Sequence, residues 1–171
     1  MNKTSRLAAS AALACFAAAA LAQTPPPLDV RATMQGRVNP AVLAIWGIGN
    51  HAMNDDGALD PARLDDGEWT ELAAQAAQLA AAGRDMAAAQ ALSAAAPANA
   101  EVADGEVTMA HVQGLLNRDL PGFRQRAAEM EAHANQLAAA ATARDPAATN
   151  ALIGEIDAVC ESCHAQFWYG E

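Results

Sequence analysis

Cysteine is scarce in this chain, and so is nearly everything that would point to side-chain catalysis. Only three cysteines occur in 171 residues. Cys160 and Cys163 have no second pair to complete the four ligands of a structural zinc site. Ser, His and Asp occur, but no motif sets a nucleophile beside a base, and scattered residues do not make a triad. The acid pairs Asp55-Asp56 and Asp65-Asp66 lack the spacing of a calcium loop. Ten basic residues face twenty acidic ones, a formal charge of −10, which leaves no basic footprint for a nucleic acid. After the first 22 residues, no segment offers the ~20 uncharged apolar residues of a membrane span. No strand pattern appears either, so a βαβ context for a thioredoxin-like dithiol is missing. The expectation is a non-enzymatic protein.

What is present begins with an export signal. Lys3 and Arg6 precede an apolar stretch from Leu7 to Leu21, and Ala20-Leu21-Ala22 forms an A-x-A cleavage site. Residues 1–22 therefore read as a signal peptide and the mature chain as starting at Gln23, with the periplasm as destination. Cys15 lies inside the discarded stretch. Its alternative use, as an acylated lipoprotein cysteine, meets Ala12 where a larger aliphatic is usual. Maturation leaves 149 residues, 171 less 22, enough for one domain with its own core. It also removes two basic residues, leaving eight against twenty acidic and a formal charge of −12. That charge favours steering toward a partner with a basic surface.

Residues 23–28 are a leader stiffened by Pro25-Pro26-Pro27, since proline runs favour extended polyproline backbone. From Asp29 to Glu171 the chain reads as helices. Asp29 caps a first helix to about Met53, with Met34, Val38, Ala41, Ile45, Ile48 and Ala52 spaced as a bundle stripe. Pro40 is expected to kink that helix or divide it. A charged loop over residues 54–66 leads to a second helix, capped by Asp65 or Asp66 and running from Glu68 to about Ala95, with Gly83 its weak point. After a connection at residues 97–105, a short helix spans about Val107–Asn117. Pro121 opens the third long helix, to about Ala143, and Asp145-Pro146 restarts the fourth. The architecture expected is all-α, an antiparallel up-and-down four-helix bundle. Helices lined mainly by alanine leave little apolar bulk for a core, and a large apolar cofactor between them would supply it.

The fourth helix names that cofactor. Cys160-Glu161-Ser162-Cys163-His164 has the C-x-x-C-H spacing of covalent haem attachment. Residues three and four apart share a helix face, so both sulfurs and the imidazole can meet one macrocycle. The thiols add to the vinyl groups of haem c and the histidine binds iron from one side. One covalently attached haem per chain follows, with Cys160 and Cys163 as attachment points and His164 as proximal ligand.

A bundle of this length with C-x-x-C-H near its C-terminus resembles the class II c-type cytochromes, the cytochrome c prime family. The resemblance covers about Asp29 to Trp168. It is carried by the placement of the motif, by Asn39-Pro40-Ala41 with Ile45-Trp46-Gly47, similar to D-P-A and W-G runs in one branch, and by the run from Cys160 to Tyr169. The tail departs from the family pattern. Many relatives carry a basic residue a few positions after the motif, whereas Ala165-Gln166-Phe167-Trp168-Tyr169-Gly170-Glu171 has none. The haem propionates then need other cations, and Arg37, Arg124 and Arg126 are the candidates.

The resemblance also frames the sixth iron position, which in the family comes from the first helix. Met34 stands twelve residues before Trp46, where low-spin relatives carry a ligand methionine, and is the expected distal ligand. Met53 lies 19 residues further on, about 28 Å along a helix axis, too far to serve the same haem. Met86, Met109 and Met130 compete with Met34, and Met130 on the third helix can approach the macrocycle but reads as packing. His51 suits a helix end, and His111 and His133 fit a surface. A bis-histidine haem is the alternative ligand set. Trp46 and Phe167 read as packing.

Two functions follow from the two states of that position. With Met34 bound, the protein is a periplasmic single-electron carrier whose partners are redox proteins with a basic docking surface. With the position open, it binds or scavenges a small gas such as nitric oxide or carbon monoxide. A haem-free helical interaction module is a third reading. Whether two bundles pair as a homodimer through their first two helices stays open.

Overall fold

The computed structural model describes residues 26–170. The expected signal peptide and the first residues of the expected leader lie outside them. The first helical rod is built from α1 (Val30–Thr33), a π-helical turn over Met34–Val38 and α2 (Asn39–Ala52). The other long helices are α3 (Asp66–Ala88), α5 (Leu120–Ala143) and α6 (Pro146–Phe167), with the short α4 (Met109–Arg118) between α3 and α5. The caps expected from sequence are made. Asp29 accepts from the Ala32 amide at 2.8 Å. Asp65 and Glu68 form a reciprocal capping box, which satisfies two otherwise orphaned N–H groups at once. Asp145 accepts from the amides of Ala147 and Ala148 at 3.1 Å.

The long helices run alternately up and down. One end of the bundle gathers the start of α1, the end of α3, the start of α5 and the end of α6. The other end gathers the complementary termini, where Arg144 pairs with Asp66 at 2.8 Å and Asn150 accepts from the Leu59 amide. The middle of the bundle and the second of these ends are packed with large side chains. Ile45, Leu72, Leu79, Leu137 and Ile156 are all but inaccessible.

Pro40 divides the first rod as expected, though not by a break: a π-helical turn over Met34–Val38 separates α1 from α2. Thr33, Met34, Val38 and Asn39 all keep right-handed helical dihedrals. An α-helical ladder would drive the proline ring into the carbonyl of Gly36, four residues back. Widening the preceding turn to five-residue spacing, with the Asn39 N–H on the Met34 carbonyl, relieves that clash without a break.

Gly83 is a contact, not a defect. A Cβ there would lie 2.7 Å from the Ala127 carbonyl oxygen and 2.8 Å from the Glu131 nitrogen. The pair α3–α5 is the most closely packed in the bundle, and Ala76, Ala80, Ala127 and Ala134 are buried along the same two helices. Part of the alanine content therefore serves close helix approach, and only one end of the bundle is left short of bulk.

The second helix ends at Ala88, earlier than the composition suggests. Leu92–Ser93 instead forms a two-residue parallel pair with Leu28–Asp29, so the chain is not wholly free of strand. The amides of Leu28 and Arg31 take the carbonyls of Ala91 and Ala94 at 3.0 Å. Helical propensity yields here to a tertiary partner that sequence periodicity does not reveal.

Candidate haem site

A cavity of about 610 Å³ opens at the end of the bundle where α1 starts and α6 ends. Cys160, Cys163 and His164 of α6 line it, and so do Val30, Arg31, Met34 and Val38 of the first rod. The remaining wall comes from α3 (Met86), α4 (Met109, Val112), α5 (Phe123, Arg126, Ala127, Met130) and the segment before α4. That volume falls within the roughly 300–1,000 Å³ of pockets that bury a small molecule.

The end of α6 is fixed from several sides. Phe167 meets Phe123 edge to face, centroids 5.3 Å apart. Gln166 donates to Asp119 Oδ2 at 2.9 Å, while Oδ1 of the same carboxylate caps α5 through the Gly122 amide. The amides of Trp168 and Tyr169 both donate to the His164 carbonyl at 2.9 Å, closing the helix directly beyond the motif. The indole of Trp168 lies with its centroid 6.4 Å from the His164 ring. Cys160, Cys163 and His164 thus sit on a terminal turn held by α5 and by its own cap.

The thiols are in an apolar setting. Burial, and then the carboxylate of Asp157, raise the pKa of Cys160. Burial, and then Cys160, push Cys163 up to about 11. A redox dithiol needs the opposite, a thiol acidified by positive neighbours or a helix N-terminus. Among the described residues no cluster of His, Cys, Asp and Glu forms a metal site. Thiols whose pKa is raised do not favour the dithiol reading.

Of the three arginines expected to serve the propionates, Arg126 alone lines the cavity, with Glu129 as its neighbour at 2.7 Å. Arg37 is turned to Asp85 at 2.7 Å. Arg124 donates to the Ala89 carbonyl at 2.7 Å, at the end of α3. Sequence reasoning missed Arg31, which lines the cavity one turn before Met34 on the same face. The apolar stripe held the signal, since Arg31 stands three residues before its first member.

The methionines converge more than expected. Met34, Met86, Met109 and Met130 all line the cavity, whereas Met53 does not and is 39% exposed. None of His51, His111 and His133 reaches it. His51 approaches Glu68 at 3.6 Å and His111 bonds the Gly170 carbonyl. His133 is not the surface residue its polar neighbours suggest. It is largely covered, because Nε2 donates to the Leu152 carbonyl at 2.9 Å and joins α5 to α6. Trp46 packs on the core away from the cavity, and Phe167 lines it.

Apolar walls, two guanidinium groups, two thiols, an imidazole and thioethers around one cavity suit a flat apolar macrocycle that carries carboxylates and a metal. Residues 116–168, from the end of α4 through α6, match the family model described as Cytochrome C'. No curated protein and no solved structure matches the chain. The helical fold, the C-x-x-C-H motif and this match over about a third of the chain together support a class II c-type cytochrome, a family whose cofactor is covalently attached haem c.

Proposed function

We propose that this chain is a periplasmic electron carrier in which Cys160 and Cys163 hold haem c by thioether bonds, His164 binds the iron from one side and Met34 from the other. The observation that carries the reading is that Met34, on the first rod, and the three motif residues, on α6, line one cavity. Haem iron supplies one-electron chemistry when bound, moving between its ferric and ferrous states.

The chain's own residues set the conditions. A neutral thioether opposite an imidazole favours the reduced state and raises the potential. Val30, Val38, Val112 and Phe123 give the cavity apolar walls. Arg126 offers a guanidinium group to the propionate carboxylates, a pairing its planar fork suits. None of this requires a group that breaks covalent bonds in a substrate, and the protein is read as a carrier rather than an enzyme. Among the described residues no helix is long and apolar enough to cross a membrane. The signal peptide, cleaved before Gln23, accounts for export. The excess of acidic residues suits a redox partner with a basic docking surface.

An absorption spectrum of purified holoprotein tests the reading. Low-spin bands with a thioether charge-transfer feature support it. A broad high-spin spectrum would leave Met34 as a packing residue and make the protein a gas binder with five-coordinate iron.

A further inference from the structure

We propose that Arg31 is a positioning residue that latches the segment between α3 and α4 across the cavity, and so sets how readily small ligands enter it. This rests on the reading of the cavity as the haem site. The segment, residues 89–108, supplies Ala94, Gly105, Glu106 and Val107 to the cavity wall. Its regular structure is slight. It consists of the two-residue pairing with β1 (Leu28–Asp29), a single 3-10 turn at Pro97–Asn99, and a turn in which Ala103 and Glu106 exchange hydrogen bonds around Gly105, whose φ is +86°. The short sequence at the start of the first rod does the rest. Asp29 Oδ2 accepts from the Ala96 amide at 2.7 Å, and Arg31 Nη1 donates to the carbonyls of Asn99 at 2.7 Å and Glu101 at 2.5 Å.

Arg31 is the last of these ties. Among the described residues it makes the bonds to the first rod that lie nearest in sequence to Gly105, Glu106 and Val107. Both are charge-assisted, the stronger kind of hydrogen bond. Their acceptors are main-chain carbonyls, so their strength does not depend on the side chains of Asn99 and Glu101. The other ties to neighbouring helices, Arg124 on the Ala89 carbonyl and Gln113 on the Ala94 amide, hold the start of the segment, so the stretch from Pro97 to Val107 is held by few hydrogen bonds, the pattern of a low-stability local unit. Arg31 also shares a helix face with Met34, one turn away. The latch and the proposed distal ligand therefore ride on the same turn of helix.

The test uses reduced, full-length holoprotein carrying Arg31→Leu, which keeps an apolar stem and removes the donors, or Arg31→Lys, which restores them. Arg31→Gln serves where the leucine variant does not fold. Amide hydrogen exchange at Ala96 and Asn99 reports opening whatever the iron ligation. Carbon monoxide association, measured in the Met34→Ala background, reports access without a thioether to displace. Both rates should rise about tenfold with Arg31→Leu and stay within about twofold of the parent with Arg31→Lys, the loss expected for two charge-assisted bonds that are partly exposed to solvent. The proposal is overturned if exchange is unchanged, if exchange quickens while the carbon monoxide rate does not, or if lysine fails as fully as leucine. A parent that is already high-spin refutes ligation by Met34 and leaves these ratios as readable as before.

Discussion

The backbone N–H of Asn39 donates to the carbonyl of Met34, five residues back rather than four. This one widened turn is the consequence of Pro40 and sets the rotation of Val30, Arg31 and Met34 relative to α2. In an α-helix each residue turns the helix about 100°, so one extra residue in a turn re-aims everything before it. Motif and distal candidate face the same cavity because a proline in α2, four helices before the motif, forces that re-aiming.

Replacing Pro40 is therefore a test of the site. Pro40→Ala restores an amide and removes the ring, so an unbroken α ladder becomes accessible. The first turns of the rod should then rotate by about 100° against α2. Met34 should lose its place on the cavity wall, and the holoprotein should become partly or wholly high-spin. Unchanged spectra in this variant would mean that packing, not proline, imposes the turn.

Gly83→Ala opposes two known effects. Alanine is the better helix former by about 1 kcal/mol. Its Cβ, however, meets main-chain atoms of Ala127 and Glu131 below 3.0 Å, and neither can step aside like a flexible side chain. Overpacking of this kind costs about 1–3 kcal/mol. We expect net destabilisation of about 1–2 kcal/mol, a fall of roughly 2–8 °C in the thermal midpoint of a domain this size. Calorimetry of the holoprotein decides, and a raised midpoint would contradict the close α3–α5 approach.

On the proposed reading, covalent attachment requires both Cys160 and Cys163. Cys160→Ala or Cys163→Ala should lower or abolish accumulation of holoprotein after export, and the double variant should give up all haem to acid-acetone. Haem retained through extraction of the double variant would refute thioether bonds at these positions.

Removing the haem should loosen one end of the bundle only. Ile45, Leu72, Leu79, Leu137 and Ile156 pack without the cavity, whereas the walls around Met34, Met86 and Val159 lose the group that fills between them. In the double cysteine variant, amides near residues 30–38, 92–107 and 159–168 should exchange fast while those of the far end stay protected. Uniform protection along the chain would refute a cofactor-dependent end, and uniform loss would refute an independent far core.

Much of this was legible in the residues themselves. Asp29, Asp65 and Asp145 announced three helix starts because a capping carboxylate acts on amides two or three residues away, and C-x-x-C-H named its cofactor for the same local reason. The rest depended on distant partners. Nothing near Leu92 says that Leu28 will pair with it. Nothing in Gly83 distinguishes a weak helix residue from a contact with Glu131, 48 positions on. Arg31 was hidden because its bonds to Asn99 and Glu101 span about seventy residues. His133 looked exposed from its neighbours because its partner, the Leu152 carbonyl, belongs to another helix.

The central claim, a haem held between His164 and Met34 for electron transfer, is met most directly by comparing optical spectra and redox potential of wild-type and Met34→Ala holoprotein. Wild type should be low-spin in both oxidation states with a thioether charge-transfer band. Met34→Ala should be high-spin, lower in potential and able to bind carbon monoxide, while Met53→Ala and Met130→Ala keep the wild-type spin state. A wild-type protein that is high-spin, or a Met34→Ala variant that stays low-spin with its potential unmoved, would contradict it.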